Sequence, residues 1–296
     1  MSAESPLCGR IVVVTGAARG IGEAVARALF RRGARLALLG HEGDRLRRLA
    51  DELPGAFARE VDITDHHAMT HAAEAVQERQ GPPSVVVANA GIASGGPFLE
   101  DDPETWRRVI EVNLIGSSVT ARVFLPALLD TRGYYLQVAS LAAFAPSPMM
   151  TAYCASKAGV GAFTQALRGE VAHQGVDTGV AYLTWTDTEM IHAADQHAAL
   201  RLLRNGLPWK GQKTYSPEFV AERMVYGIER RAPAVYVQRW LRAVQAGQAL
   251  VPGLATWRAR RVLARESPEA FRPTGLLGRG GEADLPSRQG LSGSRF

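Results

Sequence analysis

Tyr153 and Lys157 stand four residues apart in the run Tyr153-Cys154-Ala155-Ser156-Lys157. On a helix that spacing puts a phenol and an ammonium on one face, one turn apart. Free tyrosine titrates at about 10 and lysine at about 10.4. A positive neighbour favours the phenolate and lowers the phenol's pKa, so the pair predicts a general acid or base usable near neutral pH. The chain has only three lysines, Lys157, Lys210 and Lys213, so chance would rarely set one a turn away from a tyrosine. Ser140 ends the strand-like run YYLQVAS at 134–140, at the edge where open α/β sheets bind ligands, and its hydroxyl can bond a substrate oxygen. Asn113, within IEVNLIG, reads either as a surface or helix-packing amide or as part of the same site.

A second group suits a nucleotide. Thr15-Gly16-Ala17-Ala18-Arg19-Gly20-Ile21-Gly22 separates the first apolar run from the first helical one. Its glycines let backbone N–H groups approach a pyrophosphate at the positive end of that helix. The spacing is GxxxGxG rather than GxGxxG, and a plain strand-to-helix turn is the competing reading. No acid stands at the tip of the second strand, Leu38-Leu39-Gly40-His41, to hold ribose hydroxyls. Arg19 and His41 can meet a 2′-phosphate there, which favours NADP over NAD; Glu42 is the residue that would hold NAD instead. Asp62, followed by Ile63, either lies beside the adenine or caps the next helix.

The elements around these groups alternate. Apolar, strand-like runs fall at 10–15, 36–39, near 56–61, 85–89, 134–140, 177–183 and 234–238. Helical patterns fill 20–32, 43–53, 65–79, 103–130, 153–173 and 217–231. Strands buried on both faces, joined by right-handed helical crossovers, predict an α/β protein. Its form is a doubly wound parallel sheet, a Rossmann fold of about seven strands with helices on both faces. No repeat of solenoid length is present.

Composition narrows the function classes. A chain of 296 residues with 46% hydrophobic residues and a net charge of +5 reads as one large globular domain. No basic run with interleaved aromatics suggests nucleic-acid binding. Cys8 and Cys154 have no disulfide or metal spacing, and His67 and His71 read as solvated, so no metal is expected. No secretory leader is recognisable and no uninterrupted apolar run is long enough to span a membrane, which together suggest a cytoplasmic protein.

Taken in order, TGAARGIG at 15–22, Asp62, NAG at 89–91, Asn113, and Ser140 with YCASK at 153–157 resemble the single-domain short-chain dehydrogenase/reductase family, over about residues 9–240. The resemblance implies hydride transfer between NADP(H), or NAD(H), and a carbonyl/alcohol pair. It implies that Tyr153 exchanges the proton, and that Lys157 lowers the Tyr153 pKa and holds the nicotinamide ribose. Ser140 would orient the carbonyl and Asn113 would hold a water linking Lys157 to solvent. Asn89, Ala90 and Gly91 would line the adenosine side. It also implies a homodimer or homotetramer. One departure stands out: family members usually carry Pro-Gly after the sixth strand, where this chain has Leu183-Thr184 followed by Trp185-Thr186-Asp187-Thr188. Thr186 and Thr188 are still expected at the cofactor, with Thr188 on the carboxamide.

The substrate is expected among Ala142, Phe144, Met149, Met150, Trp185, Met190 and Ile191, an apolar set suited to a bulky ketone or secondary alcohol. Residues 1–238 form the catalytic domain, with a mobile lid at 189–215. Residues 239–265 mix apolar side chains with six arginines. This basic amphipathic arm either makes peripheral membrane contact, packs on a neighbouring subunit or caps the pocket, with a helix break at Pro252-Gly253. Residues 266–296, rich in Gly, Pro, Ser and Arg, read as a flexible tail. The competing functions are a catalytically silent nucleotide-binding sensor or scaffold with the same fold, and a nucleotide-sugar epimerase or dehydratase, for whose larger substrate domain the chain has little room.

Overall fold

The computed structural model describes residues 4–264 and 271–284. Its centre is a seven-stranded, all-parallel sheet in the order β3-β2-β1-β4-β5-β6-β7. The strands are β1 Ile11–Thr15, β2 Arg35–Gly40, β3 Phe57–Glu60, β4 Val85–Ala88, β5 Tyr134–Val138, β6 Asp177–Tyr182 and β7 Ala234–Tyr236. The crossover helices are α1 Gly20–Arg31, α2 Gly43–Glu52, α3 His66–Gln80, α4 Pro103–Ile110, α5 Gly116–Thr131 and α6 Thr151–Val171. After β6 come α7 Glu189–Gln196, α8 Ala198–Asn205, α9 Trp209–Gln212 and α10 Pro217–Glu229; after β7 come α11 Leu241–Ala246, α12 Val251–Leu263 and α13 Gly278–Asp284.

The strands lie where the apolar runs predict them, because a strand covered on both faces has no polar positions to blur its signal. Val12 and Val14 of β1 face one core layer with α1 and α10, while Val13 faces the other with α3 and α5. The chain reverses direction across the sheet between β1 and β4, and the crevice at that switch point opens at the carboxyl ends of the strands.

Local signals set the helix ends. Asp65 caps α3 by accepting from the Ala68 N–H at 3.0 Å. The cap sits three residues later than the sequence reading allowed: Asp62 instead accepts from the Thr64 N–H and hydroxyl. Asp102 and Ser216 cap α4 and α10, each followed by proline at the first helical position, where its missing N–H costs nothing.

The continuous helical run Pro103–Thr131 carries a π turn at Glu111–Ile115. Its most apolar window reaches a mean hydropathy of 1.5 with 56% of that window buried. The sequence reading, which looks for uninterrupted apolar runs, passes over it; its packing against the sheet marks it as a core helix.

Two expectations for the far end of the chain change. The break in the 239–265 arm comes at Gly247, ahead of a single 3-10 turn, because Pro252 starts α12 rather than interrupting it. Residues 271–284, expected as flexible tail, are folded onto the body. Leu276 bridges Ser94 antiparallel, Thr274 N–H donates to the Gly95 carbonyl at 2.7 Å, and Leu277 N–H donates to the Ala93 carbonyl at 2.8 Å. Residue 265, the end of the expected arm, and residues 266–270 and 285–296, the rest of that expected tail, lie outside the described residues.

Candidate active site

The switch-point crevice is a cleft of about 600 Å³. Gly16, Ala18, Arg19, Gly20, Ile21 and Gly22 form its floor, Gly40 and His41 one end, and Tyr153, Lys157 and Thr188 the other. Ile63, Asn89, Ala90 and Gly91 line it between. Glycine is required at two floor positions: a Cβ on Gly22 would stand 2.0 Å from the Gly16 carbonyl oxygen, and one on Gly16, at φ +64°, 2.7 Å from Ala90 Cα. Asn89 braces the loop, its Nδ2 donating to the Thr15 and Gly16 carbonyls at 3.0 and 3.2 Å. The backbone is therefore bare where a helix N-terminus points into the cleft, as a dinucleotide pyrophosphate needs. The donor set fits the cofactor.

Two of the expected cofactor residues take other places. Thr186 is buried, its hydroxyl donating to the Thr184 carbonyl at 3.1 Å, and it faces the neighbouring apolar cavity. Asp62 stands behind His41 rather than on the cleft wall, 3.5 Å from its Nε2. The turn lacking Pro-Gly still closes: Leu141 N–H donates to the Leu183 carbonyl at 2.8 Å, and Thr188 reaches the glycine loop close to Gly20.

Asn113 is fully buried, not a surface amide. Its Oδ1 accepts from the Ile92 N–H at 2.8 Å, and its Nδ2 donates to the Ile92 carbonyl and to Ser156 Oγ, each at 2.9 Å. Ser156 Oγ in turn donates to the Tyr153 carbonyl at 2.8 Å. The π turn aims Asn113 inward, so one amide ties together the loop after β4, the π turn and the α6 turn that carries Tyr153. Ser156 was legible only as a letter inside YCASK.

Lys157 Nζ donates to the Val138 carbonyl at 3.2 Å and lies 5.7 Å from the centre of the Tyr153 ring. Burial lowers Lys157 to about 8. Burial raises Tyr153 to about 12, with the Ser140 hydroxyl pulling the other way. This corrects the expectation drawn from the i,i+4 spacing. Desolvation outweighs the ammonium, and the side chain that lowers the phenol is Ser140.

A second, apolar cavity of about 230 Å³ adjoins the cleft. Ser140, Ala142, Met150, Trp185, Met190 and Ile191 line it as expected. Phe144 and Met149 do not. Phe144 packs edge-on against Tyr182 with ring centres 5.2 Å apart, and Met149 packs against Ala93 and Leu200 in a small core; each is held by core contacts that apolarity alone does not reveal. The far wall is formed by Val251, Ala255 and Ala259 of α12, in line with the pocket-capping alternative for the arm, and by Leu277, which sequence reading missed. Tyr153, Ile21, Leu183, Thr188, Met190 and Leu277 border both spaces.

The family profile of short chain dehydrogenases matches residues 10–199. A short chain dehydrogenase from Pseudocercospora fijiensis is 32% identical over 237 residues, which cover 75% of this chain and 77% of that protein. Among solved structures, a tryptophan variant of the actinorhodin polyketide ketoreductase with NADPH superposes with a TM-score of 0.72 at 30% identity, covering 78% of this chain and 97% of that one. An NADPH-bound short chain oxidoreductase from Pseudomonas aeruginosa PAO1, described as containing an atypical catalytic center, gives 0.66 at 29% identity over 75% of this chain and 90% of that one. With the glycine cleft at the switch point and the ordered motifs from Thr15 to Lys157, these matches establish that the chain belongs to the short-chain dehydrogenase family and is an NAD(P)-dependent oxidoreductase.

Proposed function

We propose that this protein is an NADP-dependent ketoreductase acting on a bulky apolar ketone, with Tyr153 as the proton donor. The observation that carries the reading is the position of Tyr153 on the wall shared by the nucleotide cleft and the apolar cavity. A sensor or scaffold needs the glycine floor but not a phenol facing a second cavity. NADPH in two structural neighbours, a ketoreductase and a short chain oxidoreductase, supports NADP, as do the cations Arg19 and His41 on the cleft lining.

The bound cofactor supplies the hydride. A phenol held at about 12 keeps its proton at neutral pH. It gives that proton up when the carbonyl oxygen beside it becomes an alkoxide, a much stronger base. Ser140 orients that oxygen by donating from its hydroxyl. The Lys157 ammonium stabilises the phenolate left behind, and Asn113 with Ser156 holds the helix turn that carries the phenol. Gly16, Gly20 and Gly22 receive the pyrophosphate, while Thr188 and Lys157 fix the reacting end.

The apolar lining sets the substrate class. Ser140 lines the cavity together with Tyr153, Thr184, Thr186, Thr188, the Arg204–Asp195 ion pair and Arg258, and methionine, tryptophan and aliphatic groups make up most of the rest. This suits a polyketide-, steroid- or lipid-like ketone. Leu254 and Trp257 of α12, with Leu250 just before it, are exposed away from the cavity, and Arg261 stacks 3.7 Å over the Trp257 ring. A basic helix with such a face suits peripheral contact with an anionic membrane surface, which would deliver an apolar substrate to the cavity. Measuring NADPH oxidation against a ketone panel tests the reading; it predicts turnover of bulky apolar ketones, and turnover confined to small polar aldehydes would refute it.

A further inference from the structure

The cations at the adenosine end of the cleft are already engaged, and one of their partners comes from the opposite end of the chain. Asp284, the last residue of α13, has a side chain 2% exposed. Arg108 grips it with two bonds of 2.7 Å, one from Nε and one from Nη2. His41 Nε2 stands 3.4 Å from the same carboxylate. His41 also faces Asp62 at 3.5 Å, and Arg108 donates to Asp62 at 2.9 Å. Arg19 is bound by Glu42 and by Glu189 of α7, and Arg279 of α13 lies 3.9 Å from Glu189. The carboxylates of Asp284 and Asp62, accepting from the imidazole, raise His41 to about 9, so it is a cation at neutral pH. Each of these cations is thus matched by a carboxylate.

Residues 271–284 are held like a strap. Leu277 is 4% exposed in a core with Ala93, Ala199 and Leu200. A Cβ on Gly278, at φ +72°, would stand 2.9 Å from the Met190 nitrogen, and one on Gly281 2.7 Å from Leu276 Cβ. The approach of Gly278 to Met190 seats α13 against α7, and Gly280 and Asp284 lie on the cleft lining with His41. Arg108 and Asp284 bear no resemblance to a surface ion pair: both are largely enclosed, and each satisfies the other's hydrogen bonds.

We propose that Asp284 is a specificity-determining residue for the cofactor, a built-in carboxylate that competes with a ribose 2′-phosphate for His41 and Arg108. This rests on the reading of the His41 end of the cleft as the phosphate end of NADP. A 2′-phosphate brings more negative charge than one carboxylate and can take both cations, so it displaces the strap. A ligand with only ribose hydroxyls offers them nothing in exchange for Asp284. The strap therefore lowers NADPH affinity in proportion to the small fraction of time it is open, and releases when that phosphate arrives.

The test uses the full chain and its Asp284→Asn variant, which keeps the shape of the strap and removes the charge. Fluorescence titration should show NADPH bound about tenfold more tightly by the variant, with NADH changed by less than about threefold. Hydrogen exchange at the Thr274 and Leu277 amides of the natural chain should quicken on adding NADPH and stay the same with NADH. A variant lacking residues 271–296 should match Asp284→Asn in NADPH affinity. Equal or weaker NADPH binding by Asp284→Asn, or slower exchange at those amides with NADPH, overturns the proposal while leaving the cofactor reading intact. Failure of both full-length proteins to bind NADPH overturns both.

Discussion

Lys157 Nζ donates to the Val138 carbonyl at 3.2 Å, so the ammonium opposite Tyr153 is fixed by the end of β5 rather than free to follow the phenol. Burial lowers it to about 8, against about 10.5 in an unfolded chain. The reductive kcat should therefore fall as pH rises through about 8, where the charge that stabilises the Tyr153 phenolate is lost. Global unfolding cannot produce this limb through Lys157. Between about 8 and 10.5 the unfolded chain binds the extra proton, so this residue makes the fold gain stability with pH there. A kcat–pH profile beside a thermal melt at each pH separates the two effects, and Lys157→Met should be slow and lack the limb.

Asn113→Ala should be costly to the fold as well as to turnover. It strips the buried Ile92 N–H and carbonyl of their partner and unties Ser156. An orphaned buried donor costs about 1–3 kcal/mol, which corresponds to a melting temperature lower by about 5 °C in a chain of this size. Differential scanning fluorimetry with steady-state kinetics checks both; an unchanged melt would contradict the role of this amide as a tie.

Gly22→Ala should lose cofactor affinity by more than about tenfold, because its Cβ would lie 2.0 Å from the Gly16 carbonyl oxygen and neither backbone can yield without moving the loop. NADPH titration measures it, and near-normal binding would show that the glycine floor does not receive the pyrophosphate.

Much of this was legible in the sequence. The strands announced themselves because runs such as Val12–Val14 and Val85–Val87 are buried on both faces, and the glycine, NAG and YCASK motifs fell around one cleft. Three things were not legible. The strap was hidden because its anchors are backbone bonds from Thr274 and Leu277 and one ion pair 176 residues away in sequence, within a composition that otherwise signals a tail. The phenol's environment was misjudged because a spacing argument counts the nearby charge but not the surrounding burial. Phe144 and Met149 resembled pocket residues because an apolar side chain after β5 has the same chemistry in a core as in a cavity.

Ala142→Phe should shrink the apolar cavity beside Ser140 and raise KM for bulky ketones by about tenfold or more, while small ketones keep their kcat/KM. The split between the two substrate sizes is the reading; equal losses for both would place the substrate elsewhere.

The outer face of α12 predicts binding to anionic vesicles. In liposome flotation with phosphatidylserine, the natural chain should rise with the vesicles. A Leu254→Ser, Trp257→Ser double variant should remain in solution, and equal recovery of both would remove the membrane contact.

The central claim, proton donation by Tyr153, is tested most directly by Tyr153→Phe, measuring NADPH affinity by fluorescence and turnover on the best ketone of the panel. The account predicts affinity within about twofold of the natural chain and a kcat lower by about 10²–10⁴. Turnover at the natural rate with the phenol hydroxyl gone would contradict it.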